Sequence, residues 1–173
     1  MPPTLLFTLS RQSDVFDRTG ITSTTDTVHG LLRLEGDQLI VQWRVHRDTD
    51  LYGEEVRTDR KVDDVREAVI PIALLSGVTV RRPWWAWRGA SRFVLTAADL
   101  RAFEPLVGPT GLKLPHPAQL VLRLPAKDRE AAIEFGADLE LAIGDLAMRL
   151  AAGPPSPESR PRTGTRSALP EET

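Results

Sequence analysis

What most limits how this chain can fold is a single long helical stripe that follows a run of strand-like segments. From Pro125 to Ala152, apolar residues recur at Ala132, Phe135, Gly136, Leu139, Ala142, Ile143, Leu146 and Leu150. That three-and-four spacing places them on one side of a helix. The other side carries Glu130, Glu134, Asp138, Glu140 and Asp145. Asp128 or a neighbour caps the start, and Gly153 followed by Pro154 supplies the stop. A helix with one apolar side must lie against something, and nearly everything between Thr27 and Leu124 reads as strands and turns.

In LIVQWRV, Leu39, Val41, Trp43 and Val45 alternate with Ile40, Gln42 and Arg44, the period of a strand with one buried face. The preceding HGLLRLEGDQ reads as a second strand that ends in a hairpin turn at Gly36-Asp37. REAVIPI and SGVTVRR follow, with Gly77 expected to break the chain between them, and SRFVLTA and QLVLRLP complete the set. TLLFTLS is expected to add an edge strand, although Pro2 and Pro3 weaken its start. The charged stretch RDTDLYGEEVRTDRKVDD, residues 47–64, reads as a long solvated loop. A run of strands before one amphipathic helix predicts an α+β domain whose helix covers a face or an opening of a strongly bent antiparallel sheet.

This order resembles the bacterial pleckstrin-homology-like (PH-like) domains over roughly Val28 to Leu150. The segments that carry the likeness are VREAVIPIALLSGVTVRR feeding a hairpin into WRGASRFVLTA, and AQLVLRLPAKDREAAIEFGADLELAI running from the last strand into the helix. The resemblance implies a partly open antiparallel barrel of about seven strands, capped by the long C-terminal helix. It also implies a binding or scaffolding module rather than an enzyme.

The chain has 173 residues, 41% of them hydrophobic, which suits one domain over residues 1–152 with its core in 28–150. Residues 153–173, rich in Pro, Ser and Arg, are expected to be a disordered tail. Lys and Arg number 22 against 24 Asp and Glu, so no global field draws the chain to a polyanion and any such attraction must be local. The absence of cysteine removes disulfides, thiolate catalysis and Cys-based zinc sites. No secretory n-region opens the sequence, and the longest apolar run, AVIPIALL, is far short of the roughly 20 residues that span a bilayer. A cytoplasmic location is expected, with peripheral attachment at the inner face of the membrane as the alternative.

Catalytic and cofactor signatures are missing. There is no Gly-x-Ser-x-Gly elbow, phosphate-cradling glycine loop or dinucleotide fingerprint, and no cofactor is expected. His29, His46 and His116 form no helical metal motif, although His29 and His46 can meet across the hairpin that turns at Gly36-Asp37. Asp48, Asp50, Gly53 and Asp59 fall at positions 1, 3, 6 and 12 of a calcium loop, but Tyr52 occupies a ligand position and helical flanks are lacking. No metal site is expected.

One stretch stands apart. RRPWWAWRGASR, Arg81 to Arg92, holds three of the four tryptophans and four arginines with no acidic residue between them. Placed at a hairpin between two strands, its indoles cannot all point into one small barrel. Trp and Arg are the residue types in which interfaces concentrate energy. Arg81, Arg82, Trp84, Trp85, Trp87, Arg88 and Arg92 are therefore the expected contact residues for a protein partner or a second copy. Weak contact with an anionic membrane is a second role, since four arginines at about 1 kcal/mol each give at most about 4 kcal/mol. A third role is an apolar small ligand held inside the barrel. Nucleic acid is not expected, because no recognition helix or RNA-binding signature accompanies the patch.

Overall fold

The structure, a computed structural model, describes residues 3–17, 20–52, 56–81, 91–107, 112 and 114–152. Among them run eight strands: β1 (Thr4–Asp17), β2 (Gly20–Glu35), β3 (Gln38–Tyr52), β4 (Val56–Val62), β5 (Arg66–Pro71), β6 (Leu75–Arg81), β7 (Ser91–Ala97) and β8 (Gln119–Leu124). One helix, α1 (Arg129–Ala152), closes the described chain. All ladders between these strands are antiparallel, and they form two sheets. The first has the order β1-β2-β3-β4 with β5 also paired to β3, and the second has the order β6-β7-β8. The expected tail, 153–173, lies outside the described residues.

The domain is thus α+β. Its strands, however, are not joined into a closed barrel: β1 approaches β8, but among the described residues no ladder links the two sheets. There are also eight strands rather than about seven. The reason is the length of β3, whose first half pairs with β5 (Gln38↔Pro71 to Trp43↔Arg66) and whose second half pairs with β4 (His46↔Val62 to Tyr52↔Val56). The chain between Val62 and Arg66 leaves that edge, so one neighbour of β3 becomes two strands.

Alternation decides which residues are inside. Residues directly opposite on an antiparallel ladder share a face, so Leu5, Leu32, Val41 and Ala68 form one inward row. All four are buried, as are Leu39, Trp43 and Val45 further along β3. From the second sheet come Phe93, Leu95, Leu120, Leu122 and Leu124, and from the 3-10 turn at Leu100–Leu106 come Ala102, Phe103 and Leu106. Helix α1 lays Ala132, Phe135, Gly136 and Leu139 over this core. The Phe135 ring sits 5.9 Å from that of Phe93, and Gly136 faces Val78, Val80 and Phe93. Leu150, on the same stripe, is exposed. A 2.6 Å ion pair from Arg149 to Asp37 ties that end to the β2–β3 turn, where Gly36 takes a φ of +55°.

The stretch expected as a solvated loop is instead strand. Residues 47–52 continue β3, and Val56–Val62 form β4, with Gly53 to Glu55 outside the described residues. Together with the far halves of β1 and β2 they make a four-stranded arm that runs past the core. Strands of 14 to 16 residues reach about 50 Å at roughly 3.3 Å per residue. Both faces of the arm are solvated, so no apolar alternation marks it. Polar cross-strand pairs hold it: Arg47 Nε to Asp26 Oδ1 at 2.7 Å, Ser23 Oγ to Asp14 Oδ1 at 2.7 Å, and Thr58 Oγ1 to Asp50 Oδ1 at 2.7 Å. Gly77, expected to break the chain, lies inside β6 at a register shift in the β6–β7 ladder.

Candidate interaction surface

On the second sheet, Val78, Phe93, Leu95, Leu120, Leu122 and Leu124 point inward, so the residues between them point out. Arg81 on β6 stands directly opposite Arg92 on β7, and Arg92 stands directly opposite Arg123 on β8. All three are exposed. They form one row of guanidinium groups across three adjacent strands. The next outward row is Thr79, Val94 and Val121, so a strip with two half-buried valines borders the charges.

Like charges directly opposite one another destabilise a ladder. Two unit charges 4 Å apart in water repel by about 1 kcal/mol, a cost the fold tolerates but gains nothing from. Carboxylates elsewhere relieve their local cations: Asp26 meets Arg47, Asp99 meets Arg101, and Asp37 meets Arg149. Among the described residues, the guanidinium groups of Arg81, Arg92 and Arg123 make no ion pair and no side-chain hydrogen bond.

Of the residues expected at the contact surface, Arg81 and Arg92 are brought together. Arg82, Trp84, Trp85, Trp87 and Arg88 lie outside the described residues. Arg123 was missed by sequence reasoning. Its outward position is readable from the alternation of QLVLRLP, but its alignment with Arg92 and Arg81 depends on strand register.

The outer face of α1 is a second surface without a partner among the described residues. Ile133, Leu141 and Met148 are exposed on it by 47%, 67% and 66%. Ala137, Glu140, Leu141, Gly144, Asp145 and Met148 line a shallow concavity of about 440 Å³. A β-carbon on Gly144 would meet nothing within 4 Å among the described residues, so none of their contacts requires glycine there. Glu130, Glu134, Asp138, Glu140 and Asp145 are exposed around this stripe, and none makes an ion pair among the described residues. Asp145 does lie near Arg149 and, after Asp37, helps hold that guanidinium above its usual range.

The remaining candidates resolve differently. His29 and His46 meet on the outward face of the first sheet, their rings 5.1 Å apart and edge-on, with Thr8 Oγ1 3.4 Å from His29 Nδ1. Nδ1 of His116 accepts a hydrogen bond from the Ala118 amide, a local turn contact. Asp48 and Asp50 share one face of β3, whereas Asp59 is opposite Thr49 on the other face, so the calcium-loop spacing does not converge on one point. Among the described residues no group of three His, Asp or Glu is placed to hold a metal ion. At the tip of the arm Phe16, Ile21, Tyr52 and Val56 form an exposed apolar row on one face.

No protein-family model, curated protein or solved structure matches this chain.

Proposed function

We propose that this chain is a non-enzymatic interaction module of the PH-like kind that binds another protein, or a second copy of itself, through the basic end of the β6–β7–β8 sheet. The single observation that carries this reading is the exposed row of Arg81, Arg92 and Arg123 without carboxylate partners among the described residues. In sequence, Arg82, Trp84, Trp85, Trp87 and Arg88 lie between Arg81 and Ser91 and belong to the same proposed contact. Guanidinium groups supply directed donors and orientation, and indoles supply rigid apolar area. What supports the PH-like assignment is the chain order: antiparallel strands in two sheets, then one helix laid over their core. A cytoplasmic location goes with this role.

The same row supports a second reading, peripheral contact with anionic lipid headgroups at the inner face of the membrane. At about 1 kcal/mol for each basic residue near such a surface, three arginines bind transiently and need avidity to hold. No helix among the described residues is long and apolar enough to cross a membrane.

The test is affinity capture with the unmodified chain and two variants, one with Trp84, Trp85 and Trp87 replaced by Ser, the other with Arg92→Glu and Arg123→Glu. Loss of the same protein partner, or of self-association, in both variants is expected, with thermal unfolding near that of the unmodified chain. Retention in both ends the reading. Co-sedimentation with anionic vesicles, lost in the arginine variant while protein capture is unaffected, transfers the role to lipid.

A further inference from the structure

The chain presents two outward surfaces of opposite charge, and neither is satisfied by the other described residues. One is the row of Arg81, Arg92 and Arg123 bordered by Thr79, Val94 and Val121. The other is the outer face of α1, where Leu141 and Met148 flank the Gly144 notch and Asp138, Glu140 and Asp145 stand along the stripe. We infer that these surfaces are mates, and that the occupant of the α1 outer face is the basic sheet face of a second copy of this chain. This rests on the protein-contact reading above and names its partner.

Charge selects this pairing over the alternatives within a self-assembly. Pairing α1 with α1 of a second copy places Asp138, Glu140 and Asp145 against the same carboxylates. Pairing the sheet face with itself sets three guanidinium groups against three. Like-charge juxtaposition across an interface is unfavourable and rejects such partners. Only the crossed arrangement brings each set of charges to its opposite. The apolar parts also correspond: the valine strip beside the arginines meets the leucine and methionine stripe beside the carboxylates. Gly144 then has a physical role. Glycine in a helix interior is less favourable than alanine, and an open notch there allows close approach of a neighbouring sheet. Both surfaces face away from the core, so a second copy engages them without rearranging the fold. A reciprocal pair, each sheet face on the other's helix, makes the contact twice and closes it. The surfaces are small, which places the contact among weak and transient interfaces and makes it sensitive to salt.

A charge-exchange experiment tests this on the full chain. One variant carries Arg92→Glu and Arg123→Glu; the other carries Glu140→Arg and Asp145→Arg. Each alone is expected to sediment as a single chain, with an apparent dissociation constant raised at least about tenfold over the unmodified protein. Mixed in equal amounts they are expected to associate, because the acidic sheet face then meets a basic helix and the basic sheet face meets an acidic one. Recovery on mixing also shows that both variants are folded. Three results overturn the inference: an unmodified chain that stays single, a variant that still associates alone, or a mixture that does not recover. If the unmodified chain stays single but loses a captured protein when Arg92 and Arg123 are reversed, the second-copy inference falls and the protein-contact reading stands. If it stays single and that variant loses nothing, both fall.

Discussion

Phe7 on β1 lies across Gly30 on β2, so close that a β-carbon on Gly30 would overlap Phe7 Cζ and stand 2.7 Å from the carbonyl oxygen of Gln42. The row continues to Trp43 on β3, so two large aromatic side chains flank a residue with none. This is the point where the first sheet packs its largest groups, and glycine makes the fit. Gly30→Ala is expected to destabilise the fold by about 1–3 kcal/mol, the range for overpacked sites. Denaturant unfolding measures it. The backbone oxygen remains in the way, so trimming Phe7 restores only part of the loss. A midpoint equal to that of the unmodified chain would show that the ring is not fixed over Gly30.

Helix α1 allows a contrast between its two sides. Leu139 is fully buried against the core, and Leu139→Ala is expected to cost about 2–5 kcal/mol. Gly144→Ala, whose new methyl meets nothing among the described residues, is expected to stabilise the folded chain by up to about 1 kcal/mol. Thermal melts of the two variants check the assignment of sides. Under the second-copy inference Gly144→Ala also weakens association, so its stability is read at high salt.

The turn at Leu100–Leu106 carries a pH dependence that the geometry predicts. The Asp99 side chain accepts from the Arg101 amide at 2.9 Å and pairs with the Arg101 guanidinium at 2.9 Å. Together these hold its carboxyl below the usual range, the guanidinium hydrogen bond contributing most. A carboxyl with a depressed folded value stabilises the fold above its unfolded value and loses that contribution as pH falls through the folded one. Asp99→Asn is therefore expected to lower the unfolding midpoint modestly at neutral pH, with the difference shrinking to nothing in strong acid. The group is exposed, so high salt should also shrink it. A pH-independent difference would contradict the assignment.

Much of the fold is legible in the sequence because burial imposes a period. Leu39, Val41, Trp43 and Val45 alternate in the sequence and are buried in the structure, and Ala132 to Leu139 do the same at helical spacing. The arm was not legible, because Thr22 to Asp26, Asp48 to Tyr52 and Val56 to Val62 have solvent on both sides and no apolar period to betray a strand. Their pairing comes from neighbours such as Asp26 and Arg47, which lie 21 positions apart. The candidate site was half legible. Its arginines are visible as outward residues, but Arg81, Arg92 and Arg123 become one row only through register, and a shift of one residue would send any of them to the other face. The exposed Leu141 and Met148 go unremarked in a reading of the sequence as a helix with one apolar side, because they fall off that stripe, on the side the core leaves open.

The account's central claim is that the arginine row and the acid-flanked face of α1 meet between copies. Sedimentation velocity of the unmodified chain at low and at high ionic strength tests it most directly. The account predicts a mass above the 19.2 kDa of one chain at low salt, rising with concentration, and a return to a single chain at high salt. A single-chain mass under both conditions, at the highest concentration reached, would contradict it.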